Sequence, residues 1–160
     1  MSVQSKFKYR TALRRVAVGL LTLSSICAFP SVALSAPLDI ILFTGGDDLR
    51  GGSYANFYIK LQGSPLQRFD NITSRRNLPN NSLNRYRIDL PALTSANQVE
   101  FCEIEHVSQE SFPQTADNWN LDMAIVIMRT PSNFPIVICE RTTTHRFQGN
   151  SRRLTLQPAR

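Results

Sequence analysis

Past residue 36 the chain is patterned in twos. Phe57, Ile59 and Leu61 alternate with Asn56, Tyr58 and Lys60 within Ser53–Gln62, the periodicity of a strand with one buried and one wet face. In Arg85–Leu90 the same alternation sets Tyr86, Ile88 and Leu90 against Arg85, Arg87 and Asp89. Asn97–His106 carries apolar residues both ways, Val99 and Phe101 on one face and Cys102 and Ile104 on the other, which predicts a strand covered on both sides along its middle. Leu121–Met128 is nearly all apolar; its β-branched Ile125, Val126 and Ile127, bounded by Asn118 and Pro131, predict a buried strand rather than a helix. Leu38–Phe43, Phe134–Arg141 and Arg153–Leu156 complete the set, with Thr142–Phe147 as an extension and Leu66, Phe69 and Ile72 as a short irregular edge strand. About seven to eight short strands separated by turn residues predict an all-β fold, an antiparallel β-sandwich.

Residues 1–35 follow a different rule. Lys6, Lys8, Arg10, Arg14 and Arg15 precede an apolar, serine-softened run from Val16 to Leu34, and Ala33-Leu34-Ser35 puts small residues where a signal peptidase reads. The expectation is a signal peptide over 1–35, cleaved after Ser35, and one domain over 36–160 that is secreted or periplasmic. The run approaches the roughly 20 residues of a membrane span, but Pro30 and the serines weigh against an uncleaved anchor. Ile26 stands where a lipoprotein would want a small residue before Cys27, and the flanks of Arg14-Arg15 do not complete a twin-arginine pattern.

The leader also changes the charge argument. Taking its five cations from the 18 Lys+Arg leaves 13 against 12 Asp+Glu, so the formal charge falls from +6 to +1. Nucleic acid loses its main support as a partner. Cys102 and Cys139 remain, an even count in an oxidising compartment; they read either as a disulfide or as two separately buried thiols.

The densest turn is Gly45–Gly52, with four glycines and two aspartates. Asp47 and Asp48 are the metal-ligand candidates, since adjacent carboxylates beside backbone carbonyls suit calcium; Asn56, Asp117 and Asn118 would add oxygens if the loops converge. The plainer reading is an Asp-rich turn that satisfies its own amides. Trp119, the sole tryptophan, reads either as a rim aromatic touching a ligand or as a plug closing one end of the sandwich. Tyr54 and Tyr58 carry the same ambiguity, with Tyr58 expected on the exposed face. Arg75-Arg76 and Arg152-Arg153 are paired cations suited to an anionic lipid or acidic polysaccharide. Glu103 and Glu105 share a strand face about 7 Å apart, which makes the Glu100–Glu110 region a candidate for glycoside hydrolysis. His106 and His145 have no ligand-like spacing, and no nucleophile-elbow sequence is present.

Three stretches, in order, resemble PLAT/LH2 domains, the β-sandwich modules of lipoxygenases, lipases and polycystins. TGGDDLRGGSYANFYIKLQG (44–63) is similar to that family's first loop and strand, NRYRIDL (84–90) to its middle amphipathic strand, and DNWNLDMAIVIM (117–128) to its tryptophan-led strand, with Trp119 and Leu121 in the matching places. The resemblance implies a stand-alone, non-enzymatic binding module that attaches to a lipid or membrane surface or to a protein partner, with calcium in some members. On that reading contact runs through the loops holding Gly45–Gly52 and Asp117–Trp119, with Tyr54, Tyr58, Arg152 and Arg153 as further contacts. The alternative is a small secreted carbohydrate-binding protein or glycoside hydrolase.

Overall fold

A computed structural model describes residues 36–109 and 116–159. The expected signal peptide, Cys27 and Glu110 lie outside the described residues.

Nine strands are found among the described residues: β1 (Ala36–Thr44), β2 (Tyr54–Leu61), β3 (Gln67–Phe69), β4 (Leu83–Leu90), β5 (Val99–Val107), β6 (Trp119–Arg129), β7 (Pro135–Arg141), β8 (His145–Phe147) and β9 (Arg153–Pro158). They pair antiparallel in the order β3-β2-β5-β9-β7-β6-β1-β4, with β8 laid against the start of β6. The all-β antiparallel sandwich is thus observed, with two short strands, β3 and β8, filling out the set.

Strand β9 is where the sheet folds over. Its residues Arg153–Leu156 pair with β5, whereas Gln157 and Pro158 pair with β7. The two halves therefore face each other across one core, built from Leu38, Ile40 and Leu42 on β1, Phe57 and Ile59 on β2, Ile104 on β5 and Val126 on β6. Cys102 lies opposite Leu156 and Cys139 opposite Pro158, on the two strands that flank β9. They form a disulfide with a Cα–Cα distance of 6.2 Å across 37 residues, a loop whose closure stabilises the fold by about 4 kcal/mol on chain-entropy grounds.

Three local expectations change. Val99 and Phe101 do not share a buried face: a bulge opposite Lys60/Leu61 sends Val99 to the core with Cys102 and Ile104, and leaves Phe101 half-exposed outside. Thr142–Phe147 does not extend β7. Its end forms β8, which turns back so that Phe147 lies opposite Trp119. The outer face of β2 is not wet either, because Asn56 and Tyr58 are buried; β2 is an interior strand between β3 and β5, and side chains from both neighbours close over it.

Candidate functional site

Chemistry-bearing side chains gather in three constellations, and each is bonded to itself. The first closes the end of the sandwich where β1 leaves and β6 enters. Asp117 is buried there, and its Oδ1 accepts from Arg50 Nε at 2.6 Å while its Oδ2 accepts from the Arg50 backbone N–H at 3.1 Å. Its own N–H donates to Ser108 Oγ at 2.7 Å. Burial pushes the Asp117 carboxyl up, but the neighbouring donors His106, Arg50 and Ser53 outweigh it and hold the carboxyl at about 2.

His106 Nε2 stands 3.4 Å from Asp117 Oδ2, too poorly aligned for a full hydrogen bond. Its Nδ1 is 2.9 Å from Arg152 Nη1, which also donates to the Asp117 carbonyl at 2.8 Å, while Arg152 Nε donates to Gly149 O at 2.9 Å.

Trp119 belongs to this end as core. It is fully buried, stacks on Phe147 at 5.0 Å between ring centroids, and donates its indole N–H to Thr44 Oγ1 at 3.2 Å. The rim-contact reading of Trp119 is overturned. Arg152 is likewise spent on internal bonds rather than offered to a ligand.

Of the candidate calcium ligands, Asp47, Asp48, Asn56 and Asp117 each have partners elsewhere. Asp47 pairs with Arg146 at 2.9 Å. With the Asn77 amide oriented to satisfy its neighbours, its nitrogen donates to Leu49 O at 2.8 Å and Asp48 Oδ2 at 3.0 Å. Asn56 sits inside the β2–β5 pair, donating to Glu105 Oε2 and accepting from the Asn71 N–H, both at 2.8 Å. Asp117 is held by Arg50 and His106. Among the described residues no three His, Cys, Asp or Glu side chains form a metal-binding group, and calcium wants six or more oxygens. These residues do not fit the ion.

The second constellation lies outside β2, β5 and β9. The Tyr58 ring is flanked by Arg68 at 5.6 Å and Arg153 at 5.0 Å, and its hydroxyl donates to Glu105 Oε2 at 2.5 Å. Those cations explain why Tyr58 is buried rather than exposed. Arg153 binds Glu103 at 3.1 Å and Glu105 at 3.0 Å. Burial raises the Glu105 carboxyl, yet bonds from Tyr58, Asn56 and Arg153 bring it below the ordinary range. A glycosidase acid needs the opposite shift. Tyr54 is half-buried under Arg75, 5.2 Å from its ring centroid.

Sequence reasoning missed the third constellation. Asp39, buried on the outer face of β1, binds Arg85, Arg87 at 3.2 Å and Arg129 at 2.7 Å. Burial pushes its carboxyl up, and the bonds from Arg85, Arg129 and Arg87 outweigh that to hold it at about 2. The register puts Asp39 between Arg87 and Ile127, and Ile41 between Arg85 and Ile125. Nothing local in the sequence marks the convergence, because Asp39 on β1 takes its partners from two other strands, β4 and β6.

Beside that trio the β6–β7 hairpin turns at Thr130–Phe134. Asn133 N–H donates to Thr130 O at 2.7 Å, Thr130 N–H to Phe134 O at 3.0 Å, and Arg129 Nη1 to Asn133 Oδ1 at 3.2 Å. Asn133 takes a left-handed φ of 63°, which asparagine tolerates. Phe134 is 70% exposed, Ile136 37% and Val137 38%.

No protein-family model and no curated protein matches the chain. Solved structures do match. A lipoxygenase solved with arachidonate superposes with a TM-score of 0.53 at 12% identity, over 78% of this chain and 16% of that one. The alpha-toxin of Clostridium perfringens from an avian strain gives 0.52 at 19% identity, over 79% of this chain and 33% of that one. The chain therefore spans a third or less of the length of either neighbour, and what it is similar to is a module within them. The fold is PLAT-like.

Proposed function

We propose that the protein is an exported, non-enzymatic binding module of PLAT type that attaches to a lipid or membrane surface. The observation that carries this reading is the disposal of its reactive groups: Asp117, Glu103, Glu105 and Asp39 are each committed to arginines, whereas Phe134, Ile136 and Val137 stand exposed on one hairpin. A protein of this kind spends charge on holding the sandwich and leaves apolar surface for a partner. The fold likeness to modules of larger chains supports the same reading.

Flotation of the full chain with phosphatidylcholine vesicles, alone and mixed with phosphatidylglycerol, tests it. The expected result is recovery with vesicles and no turnover on a glycoside panel. A glycan hit that disappears in Glu103→Gln and Glu105→Gln, with no vesicle recovery, would transfer the function to carbohydrate binding.

A further inference from the structure

The sandwich has two ends. At one stand the Gly45–Gly52 turn and Asp117, beside the Thr44–Leu121 register pair; at the other stand the β6–β7 hairpin and the first residue of β1. Sequence placed contact at the former. The exposed apolar side chains are at the latter. Val137 lies opposite Ile127 and continues the outer face past Asp39, while Ile136 lies opposite Met128 on the other face, so the hairpin strand is apolar on both sides. Phe134 projects beyond them at the turn.

A further feature is found here. Arg85, Arg87 and Arg129 meet one carboxylate, Asp39, which leaves an excess of positive charge at the base of the hairpin. Of the other carboxylates on this face, Asp89 stands at the same end, opposite Pro37, so that Arg85, Arg87 and Arg129 outnumber Asp39 and Asp89 by one charge, and Glu140 is toward the other end of β7, opposite Ile125.

We infer that the β6–β7 hairpin end is the face the domain lays on an anionic phospholipid bilayer, with Phe134, Ile136 and Val137 in the interface and Arg85, Arg87 and Arg129 over the headgroups. This inference rests on the lipid-surface reading above. Apolar side chains entering the acyl boundary under a basic collar combine hydrophobic and electrostatic attraction, the arrangement of proteins that lie on membranes. Asp39 keeps the three guanidinium groups together.

The test is an indole reporter at each end of the full chain: Phe134→Trp at the hairpin, and Gly46→Trp at the opposite end, where an added side chain meets nothing within 4 Å. Trp119, being fully buried, gives a constant background. With vesicles of phosphatidylcholine and phosphatidylglycerol, the emission of Phe134→Trp shifts blue and is quenched by brominated acyl chains, and that of Gly46→Trp is not. Phe134→Ser weakens partitioning roughly tenfold with an unchanged thermal midpoint, and Arg87→Gln weakens it about fivefold. Quenching of Gly46→Trp instead would overturn the inference while leaving the lipid-surface reading intact. No partitioning to any vesicle would remove both. Concentration-dependent dimerisation that shields the Phe134→Trp indole without lipid would assign the hairpin to a second copy of the chain and overturn the inference.

Discussion

Arg152 Nη1 stands 2.9 Å from His106 Nδ1, and because a guanidinium can only donate, the imidazole must accept there and carry its proton on Nε2, facing Asp117. One arginine from the β8–β9 connection thus sets the tautomer of a buried histidine on β5, whose proton faces a carboxylate just before β6. The relationship has a structural consequence: three segments distant in sequence are tied at one end of the sandwich.

That tie predicts an ordered set of losses. Asp117→Ala should cost about 3 kcal/mol in urea unfolding, since it strands buried donors. Arg50→Ala should cost about 1 kcal/mol, because its side chain is 42% exposed and water repays part of the interaction. Equal losses for the two would mean that the Asp117 end is more open than the buried carboxylate indicates.

Acid should weaken the fold within a narrow window. Asp39 and Asp117 have folded values of about 2 against an unfolded value of 3.8. A depressed carboxyl contributes stability that is fully present above the unfolded value and is lost as pH falls through the folded one. The thermal midpoint should therefore fall between about pH 4 and pH 2, and Asp39→Asn should flatten part of that fall. An unchanged acid limb in Asp39→Asn would show that the three arginines do not hold the carboxyl down.

Reduction of the Cys102–Cys139 disulfide should lower unfolding stability by about 2–4 kcal/mol. The double replacement Cys102→Ser, Cys139→Ser should match the reduced protein. A reduced protein as stable as the oxidised one would count against a bridge that closes the two halves beside β9.

Calcium should leave the thermal midpoint where chelator leaves it. A ligand that binds only the folded state must raise stability, but Asp47 and Asp117 are already engaged by Arg146 and Arg50. A calcium-dependent rise abolished by Asp47→Asn with Asp48→Asn would return the Gly45–Gly52 turn to the role of a metal site.

Much of the candidate site was out of sight in the sequence for a definable reason. His106 continues the buried face of Cys102 and Ile104 at a spacing of two, so its burial was readable; its meeting with Arg152 was not, because 46 residues separate them. Trp119 offered two readings, and the stacking on Phe147 decided between them only once β8 folded back onto β6. Tyr58 looked exposed because alternation counts faces and cannot count the arginines that cover a face.

What the sequence by itself determined is the strand content. Period-two patterning and turn residues act over a few positions, so β2, β4 and β6 were readable from short windows. The tertiary structure decided register and partners. Asp39 acquired Arg85, Arg87 and Arg129 only when β1 was paired between β4 and β6, and a one-residue slip of either neighbour would have turned those arginines to the opposite face. Convergence of charge is a property of strand order, and strand order is set by burying all the apolar faces at once.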